Sequence, residues 1–403
     1  MKIAVISPIY VIPSTEGNRS RILALIRQLR GLGHEVHLIL LPTRDARLAD
    51  VALHEAEMGA GRFVVVPHTR QGALRHAAKR LSMEAWRKLH RRLGTQSAYY
   101  QLLDEYYFAA STPFLRRLEA QQNYDAVFVE YAFSSRAFEA FPDGTLKILD
   151  THDTFVDRHA QFGKDATNHD YWYSIPIAKE VKALRRADIA VAIQETEEDL
   201  FRRRLGGTGP AIFTVSHALP LDRRVSDFTP ATASFIGSLA VPNVDAIGYF
   251  TAEILPRILE QMPEFRLKMA GAICKVTPDH PAIDKLGRVG EVIEAYTAGP
   301  LAINPMRIGT GINIKLLEAM AHGVGTVSTR TGVRGLGDAF AGGVVTVADD
   351  DPAAMASDIV RLLRDRSARE RLGEAALASA KAWNDRQIEA LEALLATTAG
   401  RAR

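Results

Sequence analysis

The chain has 403 residues, 47% of them apolar and 24% charged, a formal net charge of +3 and a single cysteine, Cys274. That length exceeds one ordinary core and suits two domains. The weak net charge gives no ground for a nucleic-acid partner. No apolar run reaches the ~20 residues that span a bilayer, and one cysteine excludes an internal disulfide or a cysteine-based zinc site and fits a reducing compartment.

Lys2–Ser7 predicts a buried strand. MKIAVISPIYVIP is apolar, but only Lys2 precedes the apolar run and no small-residue cleavage site follows, so it is read as a strand rather than a signal peptide. After the loop PIYVIPSTEGNRSR, Ile22, Leu25, Ile26 and Leu29 share one face of a helix from about Ser20 to Leu32, and HEVHLILL is the next strand. This βαβ unit requires a parallel sheet. Ligands sit above the carboxyl ends of such strands, so the loop Pro8–Arg19, with Gly17 and Arg19, faces a ligand site or is a plain surface loop. Arg44–Met58 predicts a helix and RFVVVPH a third strand.

Across 71–93, Leu74, Ala78, Leu81, Ala85, Leu89 and Leu93 recur at helical spacing among Arg75, Lys79, Arg80, Arg87, Lys88, Arg91 and Arg92, against one acid, Glu84. Such a basic amphipathic helix either lies on an anionic membrane surface or packs its stripe on the sheet and solvates its charges. A helix over Tyr99–Gln121 is expected, interrupted near Thr112-Pro113. YDAVFVEYAF and LKILDTHDTF are two more strands, the second ending in Asp150, Thr151, His152 and Asp153. His152 beside Asp153 there can orient a hydroxyl or stabilise a reacting group, or simply cap a turn; Arg158 and His159 follow closely. VDRHAQFGKDATNHDYWYSIP has no clean periodicity and reads as a ligand-side loop. Helix, strand and helix follow, and the glycines at 206, 207 and 209 break the pattern. We therefore expect domains of 1–210 and 211–382.

The second half restarts the alternation. ATASFIGS ends in Gly237-Ser238, Pro242-Asn243 opens a helix to about Glu260, and FRLKMAGA ends at Gly271. LAIN is a strand, and Arg307, Gly309, Thr310 and Gly311 make a tight turn. Ile312–His322 is a helix and GTVST the next strand. A strand, a glycine turn and a helix N-terminus form an anion site. Lys315 adds a charge, and Glu318 can accept from a pair of hydroxyls, so the segment suits a nucleotide; a surface Lys and Glu on an ordinary helix is the other reading. Asp349-Asp350-Asp351 reads as the cap of the helix at Pro352 rather than a metal motif. SARERLGEAALASAKA and Trp383–Ala396 are read as the last two helices.

GTGINIKLLEAMAHG followed by TVSTRTGVRGL resembles the donor-binding segment of the GT-B glycosyltransferases, in the retaining group numbered family four (glycosyl transferases group 1). The resemblance implies two Rossmann-like domains facing a cleft, with the C-terminal helix, within 383–403, crossing back to the N-terminal domain. It implies transfer from a nucleotide-sugar donor to a glycan, lipid-linked or small-molecule hydroxyl acceptor in surface-polysaccharide or glycoconjugate assembly, in the cytoplasm and peripheral on the inner face of the membrane. Members end a Glu-x7-Glu motif in LEAMA; Glu318 matches the second glutamate, which holds the ribose. The first, which helps to hold the donor sugar, falls at Thr310, which is not an acid, so half of the motif is absent and Thr310 stands at the donor-binding position. Gly17, Arg19, Gly237 and Gly271 fall at donor-side positions of the family, and His152 with Asp153 at its cleft histidine. The Arg/Lys pair that grips the diphosphate is absent from GSLAVPNVDA, leaving Lys315 with Arg307 to supply that charge. Tyr171, Trp172 and Tyr173 could stack on a sugar or an isoprenoid. No cofactor or metal is expected. The alternatives are a nucleotide-sugar epimerase on this fold and a non-catalytic nucleotide-binding module.

Overall fold

The computed structural model describes all residues except 15–16, 44, 69, 162–170, 223–230, 291, 310–311, 337–341 and 398–403, and leaves out the side chains of 45, 70–76, 79, 161 and 292. The chain divides into two compact units, Met1–His217 with Glu389–Arg403, and Ala218–Ile388.

In the first unit β1 (Lys2–Ser7), β2 (Glu35–Leu40), β3 (Phe63–Val65), β4 (Ala126–Glu130), β5 (Leu146–Asp150), β6 (Ile189–Ala192) and β7 (Ala211–Thr214) form one parallel sheet in the order β3-β2-β1-β4-β5-β6-β7. Continuous apolar runs such as IAVIS and AVFVE suit strands covered on both faces. The helices α1 (Gly17–Gly31), α2 (Val51–Met58), α3 (Arg70–Arg92), α4 (Ser111–Gln122), α5 (Ile177–Leu184) and α6 (Glu195–Leu205) connect them. Ile22, Ile26 and Leu29 of α1 are fully buried in the core with Ile3, Val5, Phe128 and Leu149.

The second unit repeats the scheme. β8 (Thr232–Ile236), β9 (Arg266–Ala270), β10 (Ile283–Gly287), β11 (Leu301–Asn304), β12 (Thr326–Thr329) and β13 (Val344–Val347) are parallel in the order β10-β9-β8-β11-β12-β13. Its helices are α7 (Val241–Tyr249), α8 (Leu255–Gln261), α9 (Val292–Tyr296), α10 (Ile314–Ala321), α11 (Pro352–Arg364) and α12 (Arg366–Ala396). The strand order reverses between β1 and β4 in one sheet and between β8 and β11 in the other, and such reversals open a crevice at the strand carboxyl ends. This is a pair of Rossmann-like units.

Several boundaries differ from the sequence reading. Ala211–Thr214 pairs with β6, so the first sheet runs past 210 and the unit ends at His217. The expected helix Arg44–Met58 is a short 3₁₀ turn followed by α2, because Asp50 accepts from the Leu53 amide and starts the helix there. The expected helix from Tyr99 is a 3₁₀ turn, Gln96–Tyr99, and then α4. Pro256, which has no amide to donate, follows a π-helical turn, Phe250–Ile254, that separates α7 from α8. The last two helices are one. In α12 a Cβ on Gly373 would lie 2.4 Å from the Gly323 carbonyl oxygen, so glycine there serves close packing and does not stop the helix. From Glu389 the chain belongs to the first unit, where Leu391, Leu394 and Leu395 are buried in its core. Among the described residues no helix is long and apolar enough to cross a membrane.

Candidate functional site

In the second unit the side chains gather at the β8/β11 reversal. Ser234, Phe235 and Ile236 of β8, Ala302–Asn304 of β11, Tyr296, Lys315, Leu316 and Ala319 line a small pocket there. Glu318, on α10, accepts from the Tyr296 hydroxyl through Oε2 at 2.8 Å; among the described residues its Oε1 accepts nothing. Burial pushes the Glu318 carboxyl up to about 7, against the opposing effects of Tyr296 and Lys315. Burial also pulls the Lys315 ammonium down to about 8. Lys315 does not follow α10 outward. Its Nζ donates to Asn243 Oδ1 and lies 5.5 Å from the centre of the Phe235 ring. Asn243 in turn donates to the carbonyl and hydroxyl of Ser238 at 3.2 and 3.0 Å. The lysine therefore reaches the loop after β8.

Asn304 organises the other loops at this end. Its Oδ1 accepts from Asn313, the residue that opens α10, at 2.8 Å, and its Nδ2 donates to Ser328 Oγ at 2.9 Å and the Gly332 carbonyl at 3.2 Å. Arg334 follows: its Nη2 would lie 2.9 Å from a Cβ on Gly309, which has φ +146°. A guanidinium is thus packed on the glycine turn. Arg307 is engaged elsewhere. It pairs with Asp245 at 2.6 Å and lies over the Tyr249 ring. Thr310 and Gly311 fall outside the described residues.

Gly237 and Gly271 close the sheet end. The Gly237 amide donates to Ala270 and its carbonyl accepts from Ile273. A Cβ on Gly271, at φ +94°, would lie 2.3 Å from the Gly237 oxygen. Gly271→Ala is expected to cost roughly 1–3 kcal/mol of stability from the positive φ alone. A denaturant melt unchanged by the substitution would show that the two loops shift freely.

In the first unit the matching end of the sheet carries a buried polar cluster. Glu130 ends β4 and Asp150 ends β5, with His152 two residues on. His152 Nε2 and Glu130 Oε2 are hydrogen-bonded at 2.5 Å, and the Tyr131 ring stacks on the imidazole at 4.0 Å. Arg21, from α1, donates to both Asp150 oxygens at 2.9 and 2.8 Å and to the Val215 carbonyl at 2.8 Å. Burial, then the Asp150 charge, holds the Glu130 carboxyl above its usual range, opposed by His152 and Arg21. Its Oε1 is buried and meets no donor among the described residues. Tyr131 and His152 have φ of 69° and 61°, positions that non-glycine residues occupy at a cost. Glu130, Asp150 and His152 offer ligand atoms within 4.8 Å of one another, but Arg21 already stands on both Asp150 oxygens, where a cation would bind.

Asp153 pairs with Arg158 at 2.5 Å and is held above its usual range by burial. His159 belongs to a separate cluster, 2.7 Å from Ser174 and stacked on Tyr99. Gly17 and Arg19 lie in the first turn of α1 rather than in a loop. Arg19 is buried over the Tyr10 ring at 3.8 Å.

Residues 230–365 match the family model of glycosyl transferases group 1. The second unit is a group 1 glycosyltransferase domain. A protein of Klebsiella pneumoniae described as an uncharacterized 44.6 kDa protein in the cps region is 23% identical over 248 residues, 55% of this chain and 62% of that protein, so the match spans less than two thirds of the relative. Sucrose-phosphate synthase from Thermosynechococcus elongatus superposes with a TM-score of 0.62 at 16% identity over 100% of both chains. The pneumococcal O-GlcNAc transferase GtfA, in complex with UDP and GlcNAc, gives 0.65 at 12% over 99% of both. HepE of Anabaena, in complex with UDP and glucose, gives 0.60 at 14% over 98% of this chain and 100% of that one. These likenesses show the GT-B fold.

Within the glycosyltransferase domain the sequence reading names Glu318, Lys315 and the glycines but misses Tyr296, Asn243, Asn304 and Arg334. In the first unit it names His152 and misses Glu130, Arg21 and the part played by Asp150. A glutamate ending the apolar run AVFVE was the available signal for Glu130: an acid closing a buried strand needs a partner.

Proposed function

We propose that the chain transfers a sugar from a nucleotide-sugar donor to a hydroxyl acceptor with retention of configuration, in the assembly of a surface polysaccharide or glycoconjugate. The observation that carries the donor half is Glu318. One of its oxygens is held by Tyr296, which fixes the carboxylate, while the other is open to the ribose hydroxyls. Lys315 supports the diphosphate assignment. It stands at the loop after β8, the position that lacks the family's Arg/Lys pair, and reaches it from α10 through Asn243. We assign the leaving diphosphate's charge to Lys315 and to Arg334, which is packed on Gly309; no metal enters this assignment. Arg307, paired with Asp245, is given no part.

To the first unit we assign the acceptor and the transfer step. Glu130 holds the His152 ring, so that Nδ1 is the nitrogen left to meet a hydroxyl. Trp172, 40% exposed and edge-on to Tyr131 at 5.6 Å, offers a stacking face for a sugar or an isoprenoid. A lipid-linked or glycan acceptor met by a protein peripheral to a membrane fits this reading, as does the cps-region relative. GtfA and HepE, both crystallised with UDP, make UDP the first nucleotide to try.

The test is a thermal-shift panel of UDP, GDP, dTDP and ADP with their sugar conjugates. A ligand present at ~100 times its dissociation constant should add roughly 2.7 kcal/mol to the folded state. A shift with one nucleotide, followed by sugar release or transfer from its conjugate, supports the reading. Binding without transfer to any hydroxyl acceptor leaves a nucleotide-binding module, and no binding at all removes the donor assignment.

A further inference from the structure

Helix α3 turns to solvent the face that a water-soluble unit would bury. Leu81 is 67% exposed, Leu89 54%, Leu93 63% and Trp86 39%. Leu81, Ala85, Leu89 and Leu93 follow one another at four-residue spacing and so share one side of the helix. The opposite side holds the helix down. Arg87 donates Nε to the Tyr100 carbonyl at 3.3 Å and pairs with Glu105, and the two side chains are only 12% and 9% exposed. A nearly buried ion pair on the far face, not the leucine stripe, therefore sets the rotation of α3.

The charges around the stripe have one sign. Glu84 is the one acid between Arg70 and Leu93, and Arg80 pairs with it at 3.5 Å. Lys88, Arg91 and Arg92 are exposed and have no carboxylate partner among the described residues. An apolar stripe with a tryptophan and a cationic border has the chemistry of an amphipathic helix lying in the headgroup layer of an anionic bilayer.

We propose that α3 docks this unit on an anionic lipid surface, with Leu81, Leu89, Leu93 and Trp86 entering the headgroup–acyl boundary and Lys88, Arg91 and Arg92 on lipid phosphates. Charge selects this occupant. A second copy would set two like-charged borders face to face, whereas a lipid surface complements both the stripe and its rim. The docking does not depend on the transfer reaction. Resting on the acceptor reading, it adds a route. Arg87 and Arg91 act electrostatically on the phenol of Tyr171, Trp172 is the next residue, and Trp172 contacts Tyr131, which stacks on His152. A lipid-anchored acceptor would thus arrive along an aromatic path within the same unit.

The experiment is co-sedimentation of the full chain with vesicles of phosphatidylglycerol and phosphatidylcholine, against phosphatidylcholine alone. Binding is expected only with the anionic lipid and should weaken as salt rises. The pair Leu81→Glu and Leu89→Glu, and separately the pair Lys88→Glu and Arg92→Glu, should each lower the vesicle-bound partition by about ten-fold or more. Melting temperatures should hold, because these four side chains are exposed. Failure of the unaltered protein to bind, or binding that both pairs leave intact, overturns the proposal. So does a dimer in light scattering that the leucine pair disperses while vesicles are ignored, since that gives the face to a second copy. Nucleotide-induced thermal shifts measured on the same variants keep a failed surface distinct from a failed donor site.

Discussion

Glu318→Gln is expected to weaken nucleotide binding by about 10–100-fold, the loss of a charge-assisted pair of hydrogen bonds, while the melting temperature of the free protein stays close to that of the parent. The two halves of that expectation have one cause. Burial pushes the Glu318 carboxyl up to about 7, so near neutral pH the free site already holds a proton about half of the time, and a neutral amide is a tolerable substitute. Ribose hydroxyls, however, donate to the carboxylate. The proton must leave before they bind, so affinity should fall as pH drops below about 7. Lys315 sets the other limb. It loses its charge near about 8, so affinity for the diphosphate should fall again above that pH. Calorimetric titration from acid to alkaline pH should give a peak between the two, and Glu318→Gln should flatten the acid limb only. An acid limb that survives in Glu318→Gln would remove the ribose role from this residue.

Arg21→Met should carry the largest stability cost, about 3–5 kcal/mol, the range for breaking a buried ion pair from one side. Arg21 and Asp150 are 7% and 2% exposed, and the guanidinium is the cation that opposes the raised carboxyls of Glu130 and Glu197. Burial, reinforced by the charge of Asp153, pushes Glu197 up to about 8. Without Arg21 these acids are left in a dry site with less counter-charge. The double substitution Arg21→Met with Asp150→Leu should recover most of the loss, because apolar groups of similar size need no partner. Activity should not return with stability, since the His152 amide bonds to Asp150 Oδ1 at 3.4 Å. Denaturant melts of the single and double variants test this. A single-variant cost below about 1 kcal/mol, the size of a surface pair, would mean that the cluster does not hold the sheet end.

The parts of this molecule legible in the sequence are those fixed by neighbours along the chain. Apolar runs of four to six residues alternating with helical periodicity dictate a doubly wound parallel sheet twice over, because a strand covered on both faces can tolerate little else. Lys315 and Glu318 were visible because one helix turn joins them to each other and to the glycines before them. The rest depended on contacts that chain order does not encode. Arg21, Glu130 and Asp150 lie on α1, β4 and β5, and only the strand order β1-β4-β5 brings them together. Tyr296 and Asn243 meet Glu318 and Lys315 across 22 and 72 residues of sequence. Gly237 and Gly271 looked like ligand glycines, yet their backbones meet too closely for a Cβ. Periodicity established that α3 has an apolar stripe, but not which way the stripe turns. That was decided by Arg87 and Glu105, 18 residues apart, because an ion pair kept from water holds a helix against its own hydrophobic preference.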